Sequence, residues 1–323
     1  MPIVVLVVLE FVGLRNDEVD EAQGKPTETS LSWTPSCGKT CSYEWDRKEE
    51  GKYYPLLLKT VNCPNTLYRM AHSPYTVVRP PPRRPPPELV KNYTIDGQCP
   101  ISSYIYRDDS STGQQPSRTH FNQETFRKLI ERDNVTNVNY YRDKNVLKPT
   151  LIKYRHTIRD RRVAVIGTVE PWAESMLVNL GAKSVTTIEY SDLVIEHERL
   201  TTITPSRLAK QFISSQADPF DTVFTYSSLE HSGIGRYGDP IAPFGDLEAT
   251  AQVWCMVKEG GYFILAVPVS NDRQKCSIVW NLERRYGAVR LQHLTANWRV
   301  LDEFMTYDLV QQRIYVLQKV PAV

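Results

Sequence analysis

A carboxyl group and an imidazole stand side by side at Glu230 and His231, directly after the apolar run FDTVFTYSSL at 220–229. An imidazole near its ordinary pKa accepts a proton at neutral pH, and a neighbouring carboxyl can orient it. His231 is therefore the candidate general base for a hydroxyl or amine nucleophile, with Glu230 orienting it or a substrate hydroxyl; substrate orientation and a loop-stabilising hydrogen bond are the competing roles of His231. The next fifteen residues, SGIGRYGDPIAPFGD at 232–246, add Asp239 and Asp246 as further carboxylates. They also add Arg236 and Tyr237, a pair suited to an anionic sugar or carboxylate. His231, Glu230, Asp239 and Asp246 have the oxygen-rich character that Mg²⁺ or Mn²⁺ prefers. Their irregular spacing suits caps and turns better, so no metal site is assigned.

A second set of residues lies upstream. Glu189 ends the run SVTTIEY, about 22 residues after Gly167 in GTVEPW (167–172). A carboxylate at that distance from a strand-to-helix glycine can accept hydrogen bonds from both hydroxyls of a ribose. The rest of the turn departs from a dinucleotide site. Val169 and Pro171 carry side chains where glycines would let a cofactor approach, Pro171 has no N–H, and Glu170 repels a pyrophosphate. NAD and FAD are disfavoured, whereas a cationic cofactor without phosphates is tolerated.

Alternating apolar runs supply the frame for both sets. VAVIG at 163–167, SVTTIEY at 184–190, 201–204, FDTVFTY at 220–226 and YFILAV at 262–267 read as strands. Helices are expected at 171–181, 206–214 and 247–257. Strand–helix alternation from 162 to 268 predicts an α/β, three-layer Rossmann-like fold with a mostly parallel sheet. WRVLDEF at 298–304 and RIYVLQ at 313–318 read as an antiparallel pair closing one edge, and 276–286 reads as a helix. Upstream, FNQETFRKLIER at 121–132 is a short amphipathic helix. PPPRRPPP at 80–87 is an extended linker or a strap over another part of the chain. The organisation expected is a hydrophobic segment at 1–20, a less regular N-terminal region at 21–149, and the α/β domain at 150–323.

Over 150–323 the chain resembles the class I S-adenosylmethionine-dependent methyltransferases, through SSLEH (227–231) and VKEGGYFILAVP (257–268). IGTVEPW, LEHSGIGRYGDP and FGD look like the methyltransferase-like DUF268 family, known mostly from nematodes and from bacterial gene clusters for surface glycans. The resemblance implies S-adenosylmethionine as cofactor, with Gly167 as the motif glycine and Glu189 as the ribose-binding acid. It also implies that Tyr226, Ser228 and Leu229 lie near the adenine and methionine portions. Val165 stands where the family usually has an acid, and the next two motif glycines are absent. In-line methyl transfer needs alignment of the acceptor and uptake of its proton. The implied catalytic set is His231, Glu230 and Asp239, acting on a hydroxyl of a small molecule or glycan, an anionic one included. The alternatives are a non-catalytic Rossmann-like interaction domain and a different glycan-processing transferase.

A formal net charge of +2 over 323 residues gives no argument for a nucleic-acid partner. The run 140–162 holds eight Lys/Arg against two Asp and reads as a solvated segment beside the main domain. Six cysteines are too few for a disulfide scaffold; free thiols are the default, with one or two disulfides the alternative. The apolar stretch MPIVVLVVLEFVGL at 1–14 is too short to span a bilayer and reads as a buried strand or a weak targeting signal. Asn92-Tyr93-Thr94 and Asn134-Val135-Thr136 fit the N-glycosylation triplet, which has meaning only in a secretory compartment. Localisation stays open between the cytoplasm and the secretory pathway, and oligomeric state is not legible.

Overall fold

The computed structural model describes residues 61–72, 80–110, 120–134, 144–190, 193–270, 275–306 and 311–319. The apolar segment at 1–20, Cys37 and Cys41 lie outside the described residues. The N-terminal elements are α1 (Cys63–His72), α2 (Val90–Tyr93), β1 (Ile101–Tyr104), β2 (His120–Phe121), α3 (Gln123–Asn134) and α4 (Lys144–Lys153). The α/β alternation then runs β3 (Arg162–Ile166), α5 (Trp172–Asn179), β4 (Ser184–Ile188), β5 (Val194–Ile195), β6 (Leu200–Ile203), α6 (Pro205–Ile213), β7 (Phe220–Tyr226), α7 (Gly245–Met256) and β8 (Val257–Pro268). It closes with β9 (Ser277–Trp280), β10 (Glu283–Arg285), α8 (Ala288–Leu294), β11 (Trp298–Met305) and β12 (Gln312–Lys319).

Seven strands form one sheet in the order β11-β12-β8-β7-β3-β4-β6. From β6 to β8 every pairing is parallel, while β12 runs antiparallel to both β8 and β11. The sheet is thus mixed but mostly parallel. Its central strands are apolar on both faces, which is why they read as continuous runs. Ala164, Ile166, Val223, Phe263, Leu265 and Val267 belong to one core, and Val163, Val165, Phe224, Tyr226, Ile264 and Ala266 to the other. Leu67 of α1, Phe212 of α6 and Trp254 of α7 fill the first core; Phe126 of α3, Leu151 of α4 and Leu177 of α5 fill the second. The result is helix, sheet, helix. Each fully buried Leu or Phe contributes about 1.5–3 kcal/mol. No described helix is long and apolar enough to cross a membrane.

The helix expected at 276–286 is instead a hairpin. β9 and β10 pair antiparallel around Asn281, which takes a positive φ of 58°. Local sequence does not decide this; β1 does, by pairing in parallel with β9 to make a three-stranded sheet. Ile278 and Trp280 then pack with Tyr93, Ile234 and Ile241 in a satellite core. The proline-rich segment lies against this layer, where the Pro82 carbonyl accepts the Trp280 indole N–H at 2.9 Å. Arg83 and Arg84 stack over Tyr106 and Tyr104 at 4.3 and 4.4 Å.

The cysteines also depart from the free-thiol default. Cys63–Cys255 joins α1 to α7, and Cys99–Cys276 joins the turn after α2 to the start of β9. Both staple the N-terminal elements to the α/β domain. Tight burial does the same work, because Val61, Leu67 and Met70 sit in one core with α6 and α7 residues.

Candidate functional site

Two clusters meet at the carboxyl ends of β3, β4 and β7. The strand order reverses at β3, between β4 and β7, and open α/β sheets bind ligands in the crevice at such a point. The first cluster is the turn after β3. Gly167 leaves the strand with φ of 78°, a conformation a side chain would strain. The next amide, Thr168 N–H, donates to Glu189 Oε2 at 3.0 Å, and Tyr190 N–H donates to Oε1 at 2.7 Å. Glu170 pairs with Arg132 of α3, Oε1 to Nη1 at 3.7 Å.

Beneath the turn lies an acid that sequence reading passed over. Glu174, in the first turn of α5, is wholly buried and accepts from Thr168 Oγ1 at 2.5 Å and Thr187 Oγ1 at 2.8 Å. Burial raises its pKa to about 7, against the two hydroxyl hydrogen bonds. A Glu three residues after Pro171 looks like an ordinary helix-start acid. Only the sheet, by bringing Thr187 under α5, gives it a partner.

The second cluster is the end of β7. Ser227 has a positive φ of 51°, uncommon for a side-chain-bearing residue and of the kind that collects at functional sites. Its hydroxyl donates to Glu230 Oε1 at 2.6 Å and accepts from Gln312 Nε2 at 3.2 Å. Burial lifts Glu230 to about 8 despite the Ser227 hydrogen bond, so it carries a proton at pH 7. His231 Nδ1 lies 2.5 Å from the Leu282 carbonyl; a carbonyl only accepts, so Nδ1 bears the hydrogen. That leaves Nε2 as a lone pair, 3.6 Å from Glu230 Oε1. Burial, with Arg236 adding to it, holds His231 down to about 3. The pair at neutral pH is an uncharged acid beside an uncharged imidazole.

Tyr237 closes over His231, ring edge to ring face at 5.2 Å, and Arg236 stacks on Tyr237 at 4.6 Å. Arg236 Nε donates to Asp109 Oδ2 at 2.7 Å, while Asp109 N–H donates to the Arg236 carbonyl at 2.8 Å. Glu230 Oε2, His231 Nε2, Ser232 Oγ, Arg236 Nη1 and Tyr237 OH are buried with no hydrogen-bond partner among the described residues. Most buried polar groups in folded proteins are satisfied, so five such atoms within eight residues mark a special place.

The other sequence candidates are placed differently. Asp239 accepts from Gly235 N–H at 2.8 Å and Tyr237 N–H at 3.1 Å, which fixes the loop. Asp246 is gripped by Arg290 Nε at 2.8 Å, Arg290 Nη2 at 2.6 Å and Tyr286 OH at 2.9 Å. Burial alone would raise its pKa; Arg284 and Arg290 outweigh burial and hold it at about 2. Arg284 also donates to the carbonyls of Glu230, Ser232, Ala242 and Pro243. The loop folds so tightly that a Cβ at Gly233 would stand 2.1 Å from the Ala242 oxygen. Leu229 points into a core, and the Ser228 hydroxyl donates to the Tyr226 carbonyl at 3.3 Å. Tyr226 meets Trp172 edge-on at 5.5 Å, linking the two clusters. Among the described residues no group of three His, Cys, Asp or Glu side chains could hold a metal ion.

The residues present fit a nucleoside without phosphates. Glu189 sets a carboxylate directly after β4 and beside the Gly167–Thr168 backbone, the placement that ribose recognition uses in such folds.

The family model described as "Caenorhabditis protein of unknown function, DUF268" matches residues 160–318, from β3 into β12. No curated protein matches the chain. Among solved structures, the chain is similar to the 1,6-didemethyltoxoflavin-N1-methyltransferase of Burkholderia thailandensis, at 14% identity and a TM-score of 0.41. That similarity covers 64% of this chain and 94% of the other. The PH0226 protein of Pyrococcus horikoshii OT3 gives 14% identity, a TM-score of 0.40, and coverage of 62% and 99%. TehB of Haemophilus influenzae gives 13% identity, a TM-score of 0.39, and coverage of 61% and 66%.

Proposed function

We propose that the chain is a methyltransferase-like protein that binds S-adenosylmethionine at the first turn and methylates a hydroxyl of a small molecule or glycan. One observation carries this reading: at the point where strand order reverses, the Glu189 carboxylate stands directly after β4 and lies against the Gly167–Thr168 backbone, accepting the Thr168 N–H at 3.0 Å. Glu189 would hold the ribose hydroxyls, Gly167 would let the ligand approach the backbone, and Tyr226 and Ser228 would line the adenine and methionine portions. S-adenosylmethionine supplies an electrophilic methyl group on a sulfonium.

The chain's own residues then handle the acceptor. Arg236 and Tyr237 offer an unpaired guanidinium nitrogen and a phenol to an acidic or hydroxyl-bearing acceptor. His231 presents Nε2 as an acceptor of the hydroxyl proton, in a tautomer fixed by Leu282. A base held at about 3 is weak, so the proton's final resting place is Glu230, which becomes an effective acceptor once it ionises near pH 8. Activity should therefore rise with pH toward about 8, and Glu230→Gln should abolish that rise.

Titration calorimetry with S-adenosylmethionine tests the reading: wild type binds and Glu189→Ala loses at least tenfold in affinity. A second reading, a non-catalytic interaction domain, is favoured by the sealing of Glu230 and His231, which are 0% and 1% exposed. It predicts a folded protein with no cofactor heat at all.

A further inference from the structure

Two disulfides and one Asn-x-Thr triplet, none of them used by the site, bear on where this chain matures. Cys63–Cys255 and Cys99–Cys276 join residues 192 and 177 positions apart, and all four cysteines are buried. Each bond forms when two thiols give up two protons and two electrons to a disulfide donor, an exchange that persists in oxidising compartments and is rare in the cytosol. Among the described residues every cysteine is so paired. In a eukaryotic oxidising compartment the triplet Asn92-Tyr93-Thr94 becomes a substrate for glycan transfer.

The fold presents that triplet in a way that tolerates the product. Tyr93 points inward, wholly buried, with its hydroxyl on the Gly233 carbonyl at 2.5 Å and its ring edge-on to Trp280 at 5.0 Å. Asn92 sits beside it at intermediate burial, next to exposed Lys91, and its side chain makes no hydrogen bond among the described residues. A glycan on Asn92 would run into solvent and leave the Tyr93 anchor intact. Thr94 has a local use as well, donating to the Val90 carbonyl at 2.8 Å and accepting from Gly97 N–H at 3.1 Å. Asn92 is accordingly the residue to vary.

We propose that this chain folds in an oxidising, glycosylating compartment and that Asn92 carries an N-linked glycan. The Asn92 amide nitrogen forms a bond to the anomeric carbon of an oligosaccharide donated by a lipid-linked pyrophosphate. The bond from that carbon to the pyrophosphate oxygen breaks, the lipid pyrophosphate leaves, and the amide loses one proton. The proposal stands apart from methyl transfer and survives its failure.

The test is a peptide map of the full chain made in cultured animal cells, alkylated and cut with trypsin without reduction. Cleavage after Lys91, Arg107, Lys275 and Arg284 yields peptides 92–107 and 276–284. With peptide-N-glycosidase applied in heavy-oxygen water to the intact, unreduced chain before trypsin, the expected result is the two peptides linked through Cys99 and Cys276, with the glycan released and a labelled Asp at 92. Asn92→Gln should keep the link and lose the label. A linked pair with unmodified Asn92 overturns the proposal, and so do alkylated thiols at Cys99 and Cys276.

Discussion

The turn at Gly167–Glu189 and the loop at Ser227–Asp246 sit side by side at one end of the sheet, yet they are built on opposite plans. The turn is built on backbone: the amides of Thr168 and Tyr190 meet one carboxylate, that of Glu189. The loop is crowded: two arginines and an aspartate brace it, while it collects buried polar atoms with no hydrogen-bond partner among the described residues. Recognition of a common cofactor can rest on backbone geometry, whereas selection among acceptors needs side chains held in fixed places. In the proposed function the turn would take the cofactor and the loop the acceptor.

The largest effect should come from the brace. Asp246→Ala leaves Arg284 and Arg290 buried without their shared counter-charge, which costs about 3–5 kcal/mol when a buried pair loses one partner. Thermal unfolding should show a fall of that size. A change near zero would mean that the loop is not braced and that the contrast with the turn is lost.

Proton linkage separates the two regions next. Glu174 beneath the turn and Glu230 in the loop are both raised above the ordinary 4.5, to about 7 and about 8. A raised carboxyl binds its proton more tightly when folded, so its contribution to stability is complete below 4.5 and fades as pH climbs to the folded value. His231 is lowered and acts in the other sense: its contribution is complete above 6.5 and is lost as pH falls toward about 3. Between pH 6.5 and 8 the carboxyls therefore dominate, and stability should decline by about 1.4 kcal/mol per pH unit for each one still protonated. Denaturant titrations should show Glu230→Gln flattening the slope up to pH 8, and Glu174→Gln flattening it only up to about 7. Identical effects from the two variants would erase the distinction.

The smallest effect is expected at Tyr237. Its hydroxyl is buried and unsatisfied in the protein alone, so Tyr237→Phe should change stability by no more than about 0.5 kcal/mol, or raise it. Acceptor binding should still weaken. A clear loss of stability would show that the phenol already has a partner and serves the fold.

The sequence made the sheet legible because buried parallel strands print themselves as apolar runs, and β7 is found at the residues its pattern marked, 220–226. Glu189 and the 229–231 turn were likewise visible from their positions after strands. The hairpin at 277–285 was not, since its partner β1 lies about 176 residues away in a stretch with no strand signature. Nor was the Asp246 brace, which spans about 40 residues; a strand reading would have put Arg284 and Tyr286 on one face by their spacing of two. Disulfide pairing was hidden for the same reason of distance. Long-range contacts decide these features, and single-residue patterns do not record them.

The most direct test of the central claim is a crystal structure of the protein with S-adenosylhomocysteine, the product form of the cofactor. The ribose hydroxyls should lie on the Glu189 oxygens, the ligand against the Gly167–Thr168 backbone, and its sulfur should face the His231 side of the crevice. A ligand bound elsewhere, or a Gly167–Trp172 turn that excludes it at saturating concentration, would contradict the account.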